Sequence, residues 1–340
     1  MKTRQALGAA AAAGACAFVL SRFARSSRVD FDGTSVLIIG GSRGLGLELA
    51  RQLGTEGAHV TIAARDPQEL ERARIDLLER GCSAATIICD VRDRTQVVRV
   101  VDQVARERGV LDVLVNDAGI VQIGPIDHMT VDDFEDAMAT HFWGPLFAML
   151  AALPHMRRGG ARRIVNISSI GGKLAVPHLL PYSASKFALT GLSEGVRAEL
   201  AREGISVTTV IPGLMRTGST YNARFKGKHR WEFAWSHLAG SVPGLSIDAS
   251  KAARQIIEAC RSGAPELIIT PVARIAVAMN ALAPSFVAGL MATANRLLPS
   301  GNPADGDEAK SGWQSVSRLV PSVLTTLMDR AARRNNEVPT

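Results

Sequence analysis

Residues 35–54 read SVLIIGGSRGLGLELARQLG, and this stretch decides the fold. It begins with an apolar run typical of a buried strand, passes through a glycine-rich turn and continues with helical periodicity. Glycines let the backbone turn tightly and approach a pyrophosphate, whose charge is stabilised by the N-terminus of the following helix. The order of strand, glycine turn and helix predicts the first unit of a dinucleotide-binding sheet.

The same alternation continues through residues 33–270, where short β-branched segments are separated by longer helical ones. We predict strands at 35–39, 59–63, 85–89, 113–115, 163–167, 206–211 and 267–269. Continuous apolar strands joined by helices are typical of a parallel sheet covered on both faces. The sequence therefore predicts an α/β protein with one doubly wound Rossmann-type domain over residues 31–270, and helical extensions at both ends.

Composition and charge exclude several classes of protein. The 340 residues include 39 Lys and Arg against 32 Asp and Glu, a formal net charge of +7. Five positive residues precede residue 30 with no acid among them, so the body is nearly neutral and does not predict a nucleic-acid-binding surface. The cysteines form no CxxC pair and no zinc spacing with histidine, which predicts reduced thiols in a cytosolic setting and no metal site; they are Cys16, Cys82, Cys89 and Cys260.

The N-terminal segment, residues 1–30, carries an uncharged run over 6–20 with basic residues on both sides. A helix of that length extends about 22 Å, short of the roughly 30 Å hydrocarbon core of a bilayer. A weak signal-anchor and an alanine-rich helix remain alternatives, and a signal peptide is the least favoured because positive charge follows the run. We expect a cytoplasmic protein that this segment can bring to an anionic membrane surface.

The C-terminal extension begins with an apolar segment over residues 271–299, which Pro284 divides into two short helices. Three interpretations stay open: a hairpin resting in a membrane interface, a cover over a substrate pocket, or an extension packed on the core or on a second subunit. Residues 300–312 are typical of a linker, and residues 313–340 predict an amphipathic helix and tail.

Further motifs follow the strands in chain order: Asp90, Asn116-Asp117-Ala118-Gly119, Ser169, Tyr182-xxx-Lys186 and Pro212-Gly213. Together with Gly40-xxx-Gly44-x-Gly46 they resemble the short-chain dehydrogenase/reductase superfamily of the classical type, over residues 33 to about 270. The resemblance implies an oxidoreductase that acts on CH–OH groups with NAD(P). Ile39 stands where the family usually has a threonine, so a hydroxyl that would hold the glycine turn is lost.

Tyr182 and Lys186 lie four residues apart on one face of a predicted helix. A tyrosine normally titrates near 10, so to act as an acid or base near neutrality its phenolate must be stabilised, for which Lys186 is placed. Ser169 would hydrogen-bond the substrate oxygen at the end of a strand. Its neighbour Ser168 is an alternative, but strand alternation and the family register favour Ser169.

His141 is the one departure in the predicted catalytic set. The resemblance implies that an asparagine at this position distorts the helix and holds a water that relays protons from the lysine. An imidazole can also shuttle protons near neutral pH, so a working relay is one hypothesis. The other is that His141 only packs in a site whose relay is lost or rebuilt.

The choice of dinucleotide follows from charge. Ala64 stands where an acid would bind the adenosine ribose of NAD, whereas Arg43 and Arg65 could flank the 2′-phosphate of NADP(H). The alternative is that both arginines are solvated surface residues. The resemblance implies that Asp90 binds the adenine amino group and that Thr217 meets the nicotinamide carboxamide. The full predicted set of cofactor-binding residues is Gly40, Ser42, Arg43, Gly44, Leu45, Gly46, Arg65, Asp90, Val91, Asn116, Ala118, Gly119, Tyr182, Lys186, Pro212, Gly213 and Thr217.

The segment after Thr217 is the family's variable substrate lid. Its aromatic residues, Phe225, Trp231, Phe233 and Trp235, indicate an apolar substrate or lid packing; its basic residues, Arg224, Lys226, Lys228 and Arg230, could meet an acidic head group or a membrane.

We predict an NADP(H)-dependent oxidoreductase that interconverts a secondary alcohol and a ketone on a lipophilic small molecule. The alternative is a dinucleotide-binding or redox-sensing protein with little turnover because of His141. We also expect a homodimer or homotetramer through long helices that carry Ala148, Ala151, Ala152, Ala188, Leu189 and Leu192.

Overall fold

The structure is a computed structural model that describes residues 28–302, 306–316 and 322–338. The apolar run over 6–20, and with it the predicted N-terminal membrane segment, lies outside the described residues, as does Cys16. Its centre is a parallel sheet of seven strands: β1 (Ser35–Ile39), β2 (His59–Ala64), β3 (Ala84–Ile88), β4 (Val113–Asn116), β5 (Arg163–Ile167), β6 (Ser206–Pro212) and β7 (Glu266–Ile269). Their spatial order is β7-β6-β5-β4-β1-β2-β3, which confirms the predicted doubly wound fold.

The helices follow in chain order: α1 (Gly44–Thr55), α2 (Pro67–Glu79), α3 (Arg94–Arg108), α4 (Val131–Met138), α5 (Gly144–Met156), α6 (Leu180–Leu200), α7 (His229–Ser241), α8 (Ala249–Ser262), α9 (Pro271–Leu282), α10 (Pro284–Asn295), α11 (Gly312–Ser315) and α12 (Ser322–Arg334). Two apolar cores sandwich the sheet. One contains residues of α1, α2 and α8, and the other contains residues of α3, α5 and α6. The five inner strands are almost entirely buried between the two cores, which is why they are mostly apolar, whereas the edge strands β3 and β7 are partly exposed.

Strand order reverses between β1 and β4, where Ile39 pairs with Asn116. The loops that leave the carboxyl ends of these two strands therefore diverge and leave a crevice. Outside the main sheet, Arg224–Phe225 pairs with Gln122–Ile123 and with Lys310–Ser311, and Ser246–Asp248 pairs with Leu214–Arg216. These short strands fix the lid region above the crevice.

The C-terminal helices differ in how they are packed. Helices α9 and α10 meet at Pro284 and are mostly exposed, whereas α12 packs against α7. Among the described residues, no helix combines the length and the apolar character needed to cross a bilayer.

Part of the surface that we predicted for subunit contacts is unavailable for them. Ala148, Ala152 and Leu189 are buried inside the subunit, the first two against the sheet. Their small and apolar character is explained by packing within the chain, so that prediction misread core positions as surface. The large apolar side chains that are exposed on the same helices are Leu150 and Phe187, and Trp143 is exposed in the turn before α5.

Candidate active site

A cavity of about 710 Å³ opens at the carboxyl ends of the strands, where the order reverses. Its walls come from the glycine turn, from the loops after β2, β3, β4, β5 and β6, and from α6. Most of the predicted site residues line it: Gly40, Ser42, Arg43, Gly44, Leu45, Arg65, Asp90, Val91, Ala118, Gly119, Ser169, Tyr182, Lys186, Pro212, Gly213 and Thr217. Three of the predicted site residues do not line it: Gly46, Asn116 and His141.

The glycine turn has the geometry of a phosphate cradle. Gly40 has a φ of +98°, and a Cβ there would lie 2.4 Å from the backbone N of Ala118. A Cβ on Gly46 would lie 2.3 Å from the carbonyl O of Gly40, so this glycine lets α1 pack against the turn. Arg43 is the N-cap residue of α1, and its side chain makes no capping hydrogen bond with the helix. The turn therefore fits a dinucleotide pyrophosphate: its glycines would let the ligand approach the backbone, and the N-terminus of α1 would stabilise the ligand's charge.

Asn116 stabilises the strands beneath the cavity. Its Nδ2 donates to Oδ1 of Asn166 at 2.8 Å, and the side chain is buried. Asn166 in turn donates to Ser193 on α6 at 3.0 Å. In this structure the Asn116 side chain ties β4 to β5, and its predicted contact with the cofactor stays a prediction.

Ser169, Tyr182 and Lys186 come together in the cavity. The Oγ of Ser169 accepts a bond from the N–H of Gly171 at 3.0 Å. A Cβ on Gly171 would lie 3.1 Å from Tyr182 and 3.5 Å from the Ser169 Oγ, so all three residues crowd one point. Lys186 donates from Nζ to the carbonyl O of Ile167 at 2.7 Å, which fixes the ammonium 5.7 Å from the centroid of the Tyr182 ring.

Ser168, the alternative to Ser169, bonds behind this group. Its Oγ donates to the carbonyl O of Lys186 at 3.1 Å and lies 2.7 Å from the Thr190 hydroxyl. The hydroxyl of Ser168 therefore fastens β5 to α6.

Burial shifts the protonation of the catalytic group. Burial raises the pKa of Tyr182 above its ordinary value, although the hydrogen bond with Ser169 opposes this. Burial lowers the pKa of Lys186 to about 8, opposed by the charge of Asp117. At neutral pH the tyrosine is therefore a neutral proton donor and the lysine is still mainly cationic.

Asp117 is a site residue that our sequence reasoning missed as such. It lines the cavity, and a Cβ on Gly46 would lie 2.8 Å from its Oδ2. Burial raises the pKa of this carboxyl to about 8, with the positive charge of Lys186 acting in the opposite direction. The available signal was an acidic residue inside an otherwise uncharged Asn-Asp-Ala-Gly motif.

His141 lies in a π-helical turn, Ala139–Trp143, between α4 and α5. The ring is fully buried; its Nε2 accepts the N–H of Ile120 at 3.1 Å, so Nδ1 carries the proton and lies 2.7 Å from the Ser185 Oγ. Burial lowers its pKa well below 6.5. Among the hydrogen bonds of the described residues, none joins His141 to Tyr182 or Lys186, but the rings of His141 and Tyr182 meet edge to face at 5.4 Å. The neutral ring ties this turn to Ile120 and Ser185 and packs against Tyr182, which favours a positioning role over a proton relay.

The two arginines predicted to recognise a 2′-phosphate have different surroundings. Arg65 is exposed at the rim of the cavity. Arg43 pairs with Glu69 at 2.9 Å and with Glu337 at 3.5 Å. The third predicted adenosine contact, Asp90, pairs with Arg92 at 2.6 Å, which lowers the pKa of its carboxyl. Arg65 is therefore the arginine with a charge available at this end of the cavity.

The lid aromatics do not line the cavity. Phe225 and Phe233 pack with Ile123 and Ala223 in a separate small core, and Trp235 donates from Nε1 to Glu232 at 2.7 Å. Trp231 is exposed. Of the basic lid residues, Lys226 is buried in an ion pair of 2.5 Å with Asp133. Lid packing is thus the better interpretation of these residues, and the aromatic side chains carry no evidence about the substrate.

A doubly wound sheet with a phosphate cradle and a serine, tyrosine and lysine at its carboxyl edge defines an NAD(P)-dependent oxidoreductase. Residues 34–226 match the short chain dehydrogenase family, and the chain belongs to this family. It acts on CH–OH groups and binds NAD(P)(H).

Known proteins align with different fractions of this chain. A putative ketoacyl reductase of Streptomyces coelicolor is 34% identical over 66% of this chain and 89% of its own length. A fatty acyl-CoA reductase of Acinetobacter baylyi is 31% identical over 86% of this chain and 96% of its own. A crystal structure of actinorhodin polyketide ketoreductase with NADPH has a TM-score of 0.62 and 31% identity, covering 70% of this chain and 96% of that one.

Proposed function

We propose that this protein is an NADP(H)-dependent reductase that converts a ketone on a lipophilic molecule to a secondary alcohol. The observation that carries the proposal is the meeting of Ser169, Tyr182 and Lys186 in one cavity. The relatives named as ketoacyl reductases favour the reductive direction, in which a protonated tyrosine donates to the carbonyl oxygen.

The residues of the site divide the chemistry between them. The bound dinucleotide supplies the hydride. Ser169 orients the carbonyl oxygen by hydrogen bonding, and Tyr182 gives that oxygen its proton. Lys186, which is cationic below pH 8, stabilises the phenolate left on Tyr182. The π-helical turn around His141 keeps this helix distorted, as the asparagine at this position is expected to do in the family, and this supports turnover over the alternative of a low-turnover binding protein.

The proposal of NADP(H) rests on charge around the adenosine end of the cavity. Arg65 is exposed there, and Ala64 offers no carboxylate to a ribose. The nearby acids have other partners: Asp66 accepts the N–H groups of Gln68 and Glu69 as the cap of α2, and Glu69 pairs with Arg43. The similar actinorhodin ketoreductase was crystallised with NADPH.

The proposal of a lipophilic substrate rests on the cavity wall and on the relatives. Apolar side chains line the cavity near the catalytic group, namely Ile120, Val121 and Met215. The relatives include two ketoacyl reductases and a fatty acyl-CoA reductase, but also a gluconate 5-dehydrogenase. NADPH oxidation should therefore be compared between β-ketoacyl thioesters of increasing length and a polar keto acid of the sugar-acid class. We expect kcat/KM to rise with chain length; a preference for the sugar acid would refute the lipophilic assignment.

We propose that α9 and α10 rest on an anionic membrane surface. Leu282 and Leu297 are each 86% exposed, and Phe286 is 61% exposed. Between residues 267 and 304 the only charged side chains are Arg274 and Arg296, so the face is apolar and cationic. Vesicles containing phosphatidylserine should sediment the protein, and Leu282→Ser with Phe286→Ser should weaken this; equal sedimentation would contradict the proposal.

We also propose a homodimer or homotetramer built on α5 and α6. Leu150, Phe187 and Trp143 are large apolar side chains exposed on or beside these helices, and a second copy could cover them. Light scattering at micromolar concentration tests this, and a monomer would count against it.

A further inference from the structure

The C-terminal tail, defined here as Asn335, Asn336 and Glu337, enters the cofactor cavity after α12. The carbonyl O of Asn335 accepts the N–H of Gly44 at 2.9 Å. Gly44 is the first residue of α1, so this N–H belongs to the helix end that the glycine turn offers to a phosphate. Asn335 is fully buried and Glu337 is only 4% exposed. The tail is therefore a built part of the cavity.

Asn336 fastens the tail to both sides of the glycine turn. Its Nδ2 donates to the carbonyl O of Ser42 at 2.8 Å and to that of Glu69 at 3.0 Å. Its Oδ1 accepts from Nε of Arg72 at 2.7 Å. The residue has a φ of +57°, a left-handed conformation that asparagine tolerates better than most residues. These bonds hold the following residue, Glu337, against the cradle.

The Glu337 carboxylate lies over the cradle itself. A Cβ on Gly44 would be 2.8 Å from its Oε1 and 3.9 Å from the Cβ of Thr217, so the carboxylate sits beside the glycine turn on the side of Thr217. Oε2 accepts from Nδ2 of Asn222 at 2.6 Å and pairs with Nε of Arg43 at 3.5 Å. The carboxylate thus lies beside the N-terminus of α1 and is held by an amide and a guanidinium, which are groups that a phosphate would also take as partners.

We propose that the tail is an internal plug of the cofactor site, in which Glu337 occupies the place of the dinucleotide pyrophosphate and must leave before the cofactor binds. This inference rests on the proposed use of the cavity for NADP(H), and it does not depend on the substrate. Burial of the Glu337 carboxylate is unfavourable, and it raises the pKa of this group to about 7. The buried charge of Glu337 therefore weakens the binding of the tail to the cavity, as expected of a segment that has to be displaced.

Helix α12 is bound to the rest of the chain independently of the tail, so the tail can leave the cavity while α12 stays in place. Asp329 accepts from the Tyr221 hydroxyl at 2.6 Å, and Met328 is buried against Gly240 of α7. These contacts lie outside the cavity, so α12 can stay docked while the tail leaves. The alternative is a clasp, in which the tail closes over bound cofactor. A clasp would place the negative charge of Glu337 against the pyrophosphate, and the Gly44 N–H would still be bonded to the carbonyl O of Asn335 and could not bind a phosphate.

Calorimetric titration with NADPH separates the plug from the clasp. We compare the full chain with Glu337→Gln, which keeps the shape of the side chain, and with a chain that ends at Arg334. Glu199→Gln is the matched control, since Glu199 is an exposed acid on α6. The plug predicts that both tail variants bind NADPH about tenfold more tightly or better, while the control is unchanged. Unchanged or weaker binding by the tail variants would overturn it.

Hydrogen exchange on the unmodified chain provides a second readout. Saturating NADPH should speed amide exchange in the peptide that covers residues 335–337, because the tail is released. Slower exchange there would show a clasp and overturn the plug. A chain ending at Arg334 that folds but binds no dinucleotide would refute the proposed function and the plug together, whereas binding that tail removal does not tighten would refute the plug alone.

Discussion

Replacing His141 tests whether this residue positions the catalytic group or relays protons. The ring is fully buried, accepts the N–H of Ile120 and pairs with Ser185. His141→Ala removes the acceptor of the partly buried Ile120 N–H, which costs about 1 kcal/mol, and it opens a cavity at a fully buried ring, so we expect a total loss of about 3–4 kcal/mol. His141→Asn can restore an acceptor for Ile120 and should lose about 1–2 kcal/mol.

Urea unfolding measures these losses, and the pH profile of kcat measures the role in catalysis. Because burial lowers the pKa of His141 well below 6.5, the imidazole is neutral throughout the working range. The profile between pH 6 and 7 should therefore keep its shape in both variants, while kcat falls in His141→Ala and is largely retained in His141→Asn. Loss of a titration near pH 6–7 in His141→Ala, with stability unchanged, would refute the positioning role.

Three further predictions concern the cofactor and the catalytic lysine. Arg65→Ala should weaken NADPH binding about tenfold and leave NADH binding unchanged, since an exposed guanidinium contributes about 1–1.5 kcal/mol to a phosphate; equal losses for both dinucleotides in calorimetry would contradict the assignment. The kcat/KM of ketone reduction should fall as pH rises through about 8, where Lys186 loses its charge and no longer stabilises the phenolate; a flat profile from pH 7 to 9 would count against this role. Gly46→Ala places a Cβ 2.3 Å from the Gly40 carbonyl and should lower the free energy of unfolding by about 1–3 kcal/mol and abolish dinucleotide binding, whereas the exposed Gly195→Ala should leave binding intact.

The sheet could be predicted from sequence because its inner strands are buried on both faces and are therefore mostly apolar. The glycine turn and the Tyr182-xxx-Lys186 spacing were predictable for a related reason, since each depends on residues close in sequence. His141 was located correctly, but its role depends on contacts with Ile120 and Ser185, which spacing does not reveal. The same holds for Lys226, whose partner Asp133 makes it a buried ion pair and not a surface charge.

The tail shows the limit of such reasoning most clearly. Asn336 bonds to Ser42 across 294 positions of the chain, and nothing in the pattern of residues 313–340 indicates a contact with the glycine turn. From sequence, residues 313–340 predict only an amphipathic helix and a polar tail. The position of the tail in the cavity depends on the packing of α12 against α7. The apolar character of the lid aromatics predicts that they are buried, but it does not predict that they pack in a separate small core and not in the cavity.

The central claim is that Tyr182 donates the proton in ketone reduction by NADPH. The most direct measurement is NADPH oxidation with a long-chain β-ketoacyl thioester, comparing the unmodified chain with Tyr182→Phe and with Tyr221→Phe, the only other tyrosine. Tyr182→Phe should lower kcat on the order of a thousandfold while calorimetry shows NADPH still bound, and Tyr221→Phe should retain most of the activity. Turnover by Tyr182→Phe within about tenfold of the unmodified chain would contradict the account.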